Sequence, residues 1–321
     1  MVIPKLSDVY KARKIIEKYL PRTITEYSSK LSELVGGDVY LKRDDQLPLG
    51  AFKVRGGLNI LANLSVEERE RGVITASTGN HGQSIANACN IFGAKAFIAL
   101  PKGANPLKVE AIKSLGAELL FHGKNFDDAR EYAERLAIQE GFRYIHPVNE
   151  PLIIAGVATQ ALEIVEDVPD VNAIFVPLGG GSGASGACIV TKSINPDIKV
   201  YAVQSESSSA GFLSWKQGGV RTAGNETFAE GLATGTGYDL PLSVLKAHLD
   251  DFILVTDDEI RASICLLIEK AHTLAEGAGA AALAGIIKSG GKLVGKKMVA
   301  VVSGGNITLD QLEQSIKSFK S

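Results

Sequence analysis

Strand-like and helix-like segments alternate between residues 72 and 145, and this alternation constrains the fold more than any other feature of the chain. Four short apolar segments have the pattern of strands, and three longer segments between them have the spacing of helices. The predicted strands are 72–77, 95–100, 118–121 and 144–145, and the predicted helices are 83–92, 106–115 and 125–140. Strands joined through helices form right-handed crossovers within a parallel sheet. We therefore predict a small α/β lobe bounded at 71–148.

The segments on either side of this lobe predict a second, larger α/β lobe made of residues 1–70 and 149–321. At 321 residues, of which 45% are hydrophobic and 22% charged, the chain is long enough for two packed lobes. The strands predicted for the large lobe are 39–43, 173–178, 198–203, 252–255 and 297–302. Its predicted helices are 7–19, 53–63, one ending near 165, 184–194, 257–271, 279–287 and one at the C-terminus. We predict no helix or strand in residues 205–237, which are rich in serine and glycine.

Charge and cysteine content favour a small-molecule partner. The formal net charge is -2, and basic residues are interleaved with acids, which argues against nucleic acid or an anionic membrane as partner. No segment has the apolar run of a signal peptide or a membrane span, so we expect a cytoplasmic protein. Cys89, Cys188 and Cys265 lie far apart in apolar helical patterns and are expected to be buried free thiols. The histidines have no metal-ligand spacing, so we predict no metal site.

A lysine lies between glycines where a helix is predicted to begin, in the stretch Leu49-Gly50-Ala51-Phe52-Lys53-Val54-Arg55-Gly56-Gly57. The positive end of a helix dipole disfavours a cation there, which helps keep the Lys53 amine neutral. A neutral lysine amine is a nucleophile that forms Schiff bases with carbonyl compounds.

The stretch Gly179-Gly180-Gly181-Ser182-Gly183 joins a strongly apolar predicted strand to a helix. Glycines permit several backbone N–H groups to approach one phosphate, and the following helix adds its dipole. A dinucleotide-binding loop and a merely tight turn are alternatives. The dinucleotide interpretation lacks the acidic residue that should follow the next strand, since Val203-Gln204-Ser205 stands there.

A polar strand-to-helix turn is formed by Ser77-Thr78-Gly79-Asn80-His81. Hydroxyls, a side-chain amide and backbone N–H groups at the start of a helix suit the carboxylate of an amino acid. The alternative is that Ser77 or Thr78 only caps the helix and that His81 is a surface residue. Taken together, the three stretches offer an amine, a phosphate cradle and a carboxylate cradle, and we interpret Lys53 as the Schiff-base lysine of a pyridoxal-phosphate enzyme.

With these stretches in place, the chain resembles the β-family, or fold type II, of pyridoxal-phosphate enzymes, and most closely its threonine/serine dehydratase and serine racemase branch. The resemblance covers nearly the whole chain. It is carried by an ordered set of motifs: Phe52-Lys53-Val54-Arg55-Gly56, Ser77-Thr78-Gly79-Asn80-His81-Gly82, Pro151-Leu152-Ile153-Ile154-Ala155-Gly156, Gly179-Gly180-Gly181-Ser182-Gly183 and Ser303-Gly304-Gly305-Asn306. Threonine synthases carry aspartate in place of Val54, and cysteine synthases carry threonine in place of His81, so those branches fit less well.

The resemblance implies a role for each matched residue. Lys53 holds the cofactor and then acts as general base, and residues 179–183, namely Gly179, Gly180, Gly181, Ser182 and Gly183, bind its phosphate. Asn80 meets the ring oxygen, Phe52 lies against the ring and Ser303 meets the pyridine nitrogen. The substrate carboxylate is bound by Ser77, Thr78, Gly79, Asn80 and His81. Glu276 aligns with an active-site acid, although it could merely cap the helix that follows.

The activity implied is a dehydratase that converts L-threonine to 2-oxobutanoate, and L-serine to pyruvate, with release of ammonia. A neutral serine at the pyridine nitrogen weakens the electron sink, which favours rapid loss of a β-hydroxyl over a long-lived carbanion. Racemase activity through Thr78 and a hydroxyaspartate dehydratase are the alternatives within the family. A nucleotide-binding sensor and an inactive homologue are alternatives outside it.

The resemblance also bears on metal and assembly. Eukaryotic racemases of the branch bind a divalent metal through carboxylates where this chain has Gln204 and Ala210, so a metal there is doubtful. Glu206 is the remaining candidate ligand, although it also fits a solvated loop acid. The family implies a homodimer or a higher homo-oligomer.

Overall fold

A computed structural model describes residues 2–320, which form two β-sheets flanked by helices. Within that range there are ten strands: β1 Thr25–Tyr27, β2 Asp38–Arg43, β3 Val73–Ala76, β4 Ala96–Leu100, β5 Glu118–Phe121, β6 Arg143–Tyr144, β7 Ala173–Pro177, β8 Lys199–Ser205, β9 Asp251–Val255 and β10 Lys297–Val302. There are fourteen α-helices: α1 Leu6–Ile16, α2 Ser29–Val35, α3 Lys53–Ala62, α4 Val66–Arg71, α5 Asn80–Phe92, α6 Pro106–Lys113, α7 Phe126–Glu140, α8 Pro151–Asp167, α9 Ser182–Ile194, α10 Ala210–Gln217, α11 Asp239–His248, α12 Asp257–Ala271, α13 Gly277–Ser289 and α14 Leu309–Lys320.

The smaller sheet has the order β5-β4-β3-β6, and all its strand pairs are parallel. Val73 of β3 is in register with Ala96 on one side and with Arg143 on the other. β3 is buried along its whole length, as expected for a central strand covered on both faces. The predicted parallel sheet is confirmed.

The larger sheet has the order β1-β2-β10-β7-β8-β9 and is parallel except for β1 at its edge. β1 runs antiparallel to β2, with Thr25 opposite Lys42. The carboxyl ends of β2, β10, β7 and β8 therefore lie at one edge of the sheet, which is where parallel α/β sheets carry their ligand sites. The predicted α/β class with helix-flanked parallel sheets is confirmed, while the lobe boundaries at 70/71 and 148/149 stay predictions.

Two hydrophobic clusters cover the two faces of the larger sheet. Residues of α8, α9 and α11 form one cluster, and residues of α12 and α13 form the other. Phe175 of β7 is fully buried in the second cluster, where it stacks on Tyr201 with 4.8 Å between ring centroids. Cys89, Cys188 and Cys265 are buried free thiols, as predicted.

Several boundaries and elements differ from the sequence-based expectation. α5 begins at Asn80 rather than 83, α9 at Ser182 rather than 184, and α13 at Gly277 rather than 279. Each of these helices opens on glycine or polar residues, which have weak intrinsic helix propensity, so their starts do not stand out in the sequence. Five further elements were not predicted, because their sequence patterns are short or weak. They are β1, α2, α4, α10 and α11.

Candidate active site

Lys53 brings three distant segments together. It is the first residue of α3, and its Nζ lies 3.4 Å from the Oγ of Ser182, the first residue of α9. The preceding residue, Phe52, places its ring centroid 5.2 Å from Nζ. The backbone N–H of Phe52 donates to the carbonyl of Ser303, which directly follows β10, over 3.0 Å. The amine thus lies where α3, the glycine loop and the end of β10 converge.

The Lys53 amine is easier to deprotonate than an ordinary lysine. Burial lowers its pKa from 10.5 to about 8, because desolvation disfavours the ammonium form. About one amine in ten is then neutral at pH 7, far more than for an exposed lysine. The position of Lys53 at a helix start predicts a neutral amine through the helix dipole, whereas burial is the cause in the structure.

A buried ionic cluster anchors the first turn of α3. The guanidinium of Arg55 donates to both carboxylate oxygens of Asp44 at 2.9 Å and to the two oxygens of Glu163 at 2.7 and 2.9 Å. Lys42 Nζ lies 2.7 Å from Glu163 and is fully buried. Burial would lower the pKa of Arg55, but Asp44 and Glu163 raise it overall. Two cations and two anions balance, and they fix α3 against β2 and α8 two residues beyond Lys53.

The glycines of the loop before α9 are required by the close approach of other segments. A Cβ on Gly179 would lie 2.2 Å from the carbonyl oxygen of Gly231, and one on Gly180 would lie 2.2 Å from Val148 Cγ2. Gly181 has φ +102°, a region that L side chains rarely adopt. These residues form a backbone cradle at the start of α9.

This cradle fits a phosphate group. The first N–H groups of a helix have no intrahelical partner and carry partial positive charge. Ser182 and Ser185 lie three positions apart on α9 and share a face. Ser185 Oγ is buried and has no hydrogen-bond partner within residues 2–320. An orphaned hydroxyl beside a glycine cradle is the donor set that a bound phosphate satisfies.

In the polar turn before α5, the side chains of Ser77 and Thr78 do not cap the helix. Gly79 is the N-cap residue and no side chain caps the helix, so the alternative of an N-cap at Ser77 or Thr78 is wrong. Ser77 Oγ instead accepts from the N–H of Gly79 at 3.2 Å. A Cβ added at Gly79 would meet nothing within 4 Å, so there is open space beside this residue. The turn therefore offers hydroxyl and backbone donors to a ligand.

His81 is buried, so the alternative of a surface residue is wrong. Its Nε2 lies 3.1 Å from the hydroxyl of Thr75, and that hydroxyl donates to the carbonyl of Ile145. Because the single hydroxyl proton is committed to Ile145, Nε2 must be the donor to Thr75. Burial lowers the pKa of His81 well below its usual value, so the ring is neutral. Its predicted contact with the substrate stays a prediction.

Glu276 joins the turn to the large lobe. Its Oε1 accepts from Asn80 Nδ2 at 2.9 Å. Asn80 Oδ1 in turn accepts from Asn306 Nδ2 at 2.8 Å, and the same amide group donates to the carbonyl of Leu49 at 2.8 Å. Glu276 is the N-cap residue of α13, but its side chain makes no capping hydrogen bond. The Glu276 side chain therefore does not cap α13, and the alternative in which it merely caps that helix is wrong.

The Glu276 carboxyl titrates near neutral pH. Burial raises its pKa from 4.5 to about 7, and the hydrogen bond from Asn80 opposes that shift. Gly304 packs directly on the carboxylate, since a Cβ there would lie 2.7 Å from Oε1. A carboxyl group in such a position can carry or accept a proton at physiological pH.

The segment from Gln204 to Ala210, where a divalent metal was considered, makes hydrogen bonds within the protein. Gln204 is buried, and its Oε1 accepts from the N–H of Phe212 at 3.1 Å. Ala210 begins α10, and Glu206 lies in a short 3-10 turn after β8. Within residues 2–320 no group of three or more His, Cys, Asp or Glu side chains is arranged to hold a metal ion.

Among the helices of residues 2–320, none combines the length and the hydrophobicity that a membrane span requires.

Three contributors to this region have roles that their local sequence does not indicate. They are Asn306, which lies in the motif Ser303-Gly304-Gly305-Asn306, and the pair Lys108 and Glu230. Lys108 of α6 forms an ion pair with Glu230, which lies in a short turn of the large lobe. Only the tertiary structure brings these charges together, and no local pattern signals their approach.

Comparisons with known proteins agree with this geometry. The model of the family described as "Pyridoxal-phosphate dependent enzyme" matches residues 16–304. The L-threonine ammonia-lyase of Thermotoga maritima is 40% identical over 312 residues, which cover 97% of this chain and 78% of that protein. The L-threo-3-hydroxyaspartate ammonia-lyase of Saccharomyces cerevisiae is 33% identical and covers 96% of this chain and 95% of its own length. The crystal structure of serine racemase from Dictyostelium discoideum matches with a TM-score of 0.89 and 36% identity, over 95% of this chain and 99% of that chain.

Proposed function

The chain belongs to the family of pyridoxal-phosphate-dependent enzymes, and on that premise we propose that it is an L-threonine ammonia-lyase that also accepts L-serine. The reaction is β-elimination of water, which yields 2-oxobutanoate or pyruvate together with ammonia. One observation carries the proposal: the low-pKa amine of Lys53 lies between Phe52, the glycine loop and the end of β10. The names of the relatives support the substrate class.

Pyridoxal phosphate, when bound, supplies an electron sink that stabilises negative charge on the α-carbon of the substrate. In this proposal Lys53 holds the cofactor covalently, and residues 179–183 bind its phosphate together with the hydroxyls of Ser182 and Ser185. Asn80, Phe52 and Ser303 contact the ring. The orphaned Ser185 hydroxyl and the glycine cradle support this assignment.

Lys53 is the proposed general base. An amine whose pKa is near 8 can accept a proton and release it again close to physiological pH, which is the condition for efficient proton transfer. The buried ionic cluster of Arg55 holds the first turn of α3 and so limits the directions in which the amine moves.

The polar turn is the proposed carboxylate clamp. Ser77 and Thr78 supply hydroxyls, and the N–H groups at the start of α5 carry partial positive charge beside the open space at Gly79. Asn80 is held from both ends of its amide by Glu276 and Asn306, so its orientation is fixed before a substrate arrives. A clamp ordered in advance lowers the entropy cost of orienting the α-proton toward Lys53.

Racemase activity is a second candidate, favoured by Thr78. The Thr78 side chain keeps a hydroxyl in the turn that is proposed to bind the substrate, and serine racemase from Dictyostelium discoideum is a structural neighbour. A hydroxyl on the face opposite Lys53 can exchange a proton with the α-carbon.

The test is to incubate the cofactor-loaded enzyme separately with L-threonine and L-serine and to measure 2-oxo acid and the chirality of the remaining amino acid. Oxo acid without inverted amino acid is the expected result for an ammonia-lyase. Inverted serine with little oxo acid would assign the racemase instead. Neither product from either substrate would overturn the proposed substrate class.

Assembly and location belong to the same proposal. We propose a homodimer or higher homo-oligomer acting on a small amino acid in the cytoplasm, as the family resemblance implies. Three buried free thiols suit a reducing compartment. Light scattering of the purified protein would measure its mass in solution, and a monomer would contradict the assembly proposed.

A further inference from the structure

A small polar pocket lies between the two lobes beside the proposed carboxylate clamp. Five polar side chains line it: Lys108, Glu230, Glu276, Asn306 and Gln311. Its free volume is about 20 Å³, which is room for about one water molecule. Of the residues within 2–320 that line it, Lys108 is the only cation.

The pocket is continuous with the proposed active site. Glu276, one of its walls, accepts from Asn80 of the clamp. The backbone at Gly231 forms another wall and also packs on the glycine cradle, since its carbonyl would lie 2.2 Å from a Cβ on Gly179. Residues 230 and 231 therefore run between the phosphate cradle and the clamp. Only two carbon atoms separate the carboxylates of a four-carbon amino diacid, so the second carboxylate of a clamped substrate stays close to the clamp, which this wall adjoins through Glu276.

Glu230 neutralises Lys108, the only cation among the described residues that line the pocket. Its Oε2 pairs with Lys108 Nζ, and its Oε1 lies 3.5 Å from Gln311 Nε2 of α14. The lysine side chain is 19% exposed and the glutamate 51% exposed, so the cation faces inward and the acid lies at the rim. A paired lysine cannot bind a second anion without losing its partner, and Glu230 adds a like charge that repels it.

Space and charge exclude the same ligand. While the pair is closed, the free volume admits water but not a carboxylate. Glu276, whose pKa is about 7, adds further negative charge as the pH rises. A methyl group or a hydrogen at the β-carbon meets neither obstacle.

We propose that Glu230 is a specificity-determining residue that reserves the site for hydroxy amino acids with one carboxylate and rejects 3-hydroxyaspartate. It does so by occupying Lys108 across the gap between the lobes. This inference rests on the proposed function, because it assumes that a hydroxy amino acid binds at the clamp.

The test compares L-threonine with L-threo-3-hydroxyaspartate in the cofactor-loaded enzyme and in two variants, Glu230→Gln and Glu230→Ala. The first removes the charge and with it the ion pair that closes the pocket, and the second also removes side-chain volume. We expect the ratio of kcat/KM for hydroxyaspartate to that for threonine to rise at least tenfold in both. Adding Lys108→Met to Glu230→Gln should return the ratio to the wild-type value, because the freed cation is then gone.

The matched control is Glu313→Gln, which breaks an exposed ion pair with Lys317 on α14. It removes the same charge from the same lobe and should leave the ratio unchanged. A ratio within twofold of wild type in both Glu230 variants would overturn the proposal. A raised kcat/KM ratio that persists when Lys108→Met is added to Glu230→Gln would also overturn it.

A binding measurement separates this inference from the proposed function. Calorimetric titration of the cofactor-loaded enzyme with succinate and with butyrate reports carboxylate binding without turnover. We expect Glu230→Gln to tighten succinate at least tenfold relative to butyrate. An enzyme that fails to turn over threonine but shows this change would sink only the proposed function, whereas unchanged relative affinities would sink only the role of Glu230.

Discussion

Asn80 begins α5 and Glu276 directly precedes α13, and a hydrogen bond of 2.9 Å joins their side chains. The bond makes the orientation of the Asn80 amide depend on a carboxyl group whose pKa is about 7. It also places the end of the polar turn against the large lobe, next to the segment that contacts the glycine cradle.

The raised pKa of Glu276 predicts that protein stability depends on pH. The folded protein holds the proton up to about pH 7, whereas the unfolded chain releases it near 4.5, so folded protein binds more protons between these values. Stability contributed by the neutral carboxyl is therefore lost as pH rises from about 4.5 to 7, by at most about 3 kcal/mol. Urea unfolding of wild type and Glu276→Gln at pH 5 and 7.5 measures it. An equal change with pH in both proteins would contradict the assignment.

Lys53→Ala should abolish both covalent attachment of the cofactor and turnover. Loss of the nucleophile and general base predicts a fall in kcat of at least about 10³-fold. Visible absorbance of the protein-bound cofactor and 2-oxo acid production measure the two effects, and far-UV circular dichroism should stay unchanged. Retention of wild-type turnover would remove Lys53 from the chemistry.

Arg55→Met should destabilise the fold by about 3–5 kcal/mol, because it leaves buried Asp44 without its cation and Glu163 with Lys42 alone. The control is Arg22→Met. Arg22 pairs with Glu166 and Asp167 at the surface and is 44% exposed, so its loss should cost less than about 1 kcal/mol. Denaturant unfolding of both variants measures the loss in free energy of unfolding. Equal losses would show that the burial of Arg55 does not increase its contribution to stability.

Gly179→Ala should disturb the phosphate cradle, since its Cβ would lie 2.2 Å from a backbone carbonyl that cannot move like a side chain. Overpacking of this kind costs about 1–3 kcal/mol, and we expect weaker retention of the cofactor on dialysis. Gly103→Ala is the control, because a Cβ there meets nothing within 4 Å. Full cofactor retention in Gly179→Ala would argue against this loop as the phosphate site.

Thr78→Ala tests the second activity. If the Thr78 hydroxyl exchanges a proton with the substrate, the variant should lose inversion of serine by at least about 10²-fold while 2-oxo acid production persists. Thr78→Ser keeps the hydroxyl and serves as the control. Chiral analysis of serine decides the matter, and inversion that survives in Thr78→Ala would exclude the residue from that role.

Local patterns were enough to predict much of the fold. Alternation of apolar strands with helices indicated both parallel sheets, and glycine-rich turns after buried strands indicated where the sheets carry their ligand sites. Short elements such as β1 and α10 escaped, because a strand of three residues and a helix of eight are too short to show a strong period. Three helix starts were misplaced for the related reason that glycine and polar residues favour turns as well as helix ends.

The sequence by itself determined the chemical groups of the site: a lysine at a helix start, a glycine cradle and a polar turn, each recognisable within a few residues. Only the tertiary structure decided which of their partners meet. Asn80 and Glu276 are 196 positions apart, Arg55 and Glu163 are 108 apart, and Lys108 and Glu230 are 122 apart. Such pairs arise when segments far apart in the chain pack against each other, and no local periodicity encodes that approach. The pKa values of Lys53 and Glu276 depend on the same burial, so they too belong to the folded protein rather than to the sequence read residue by residue.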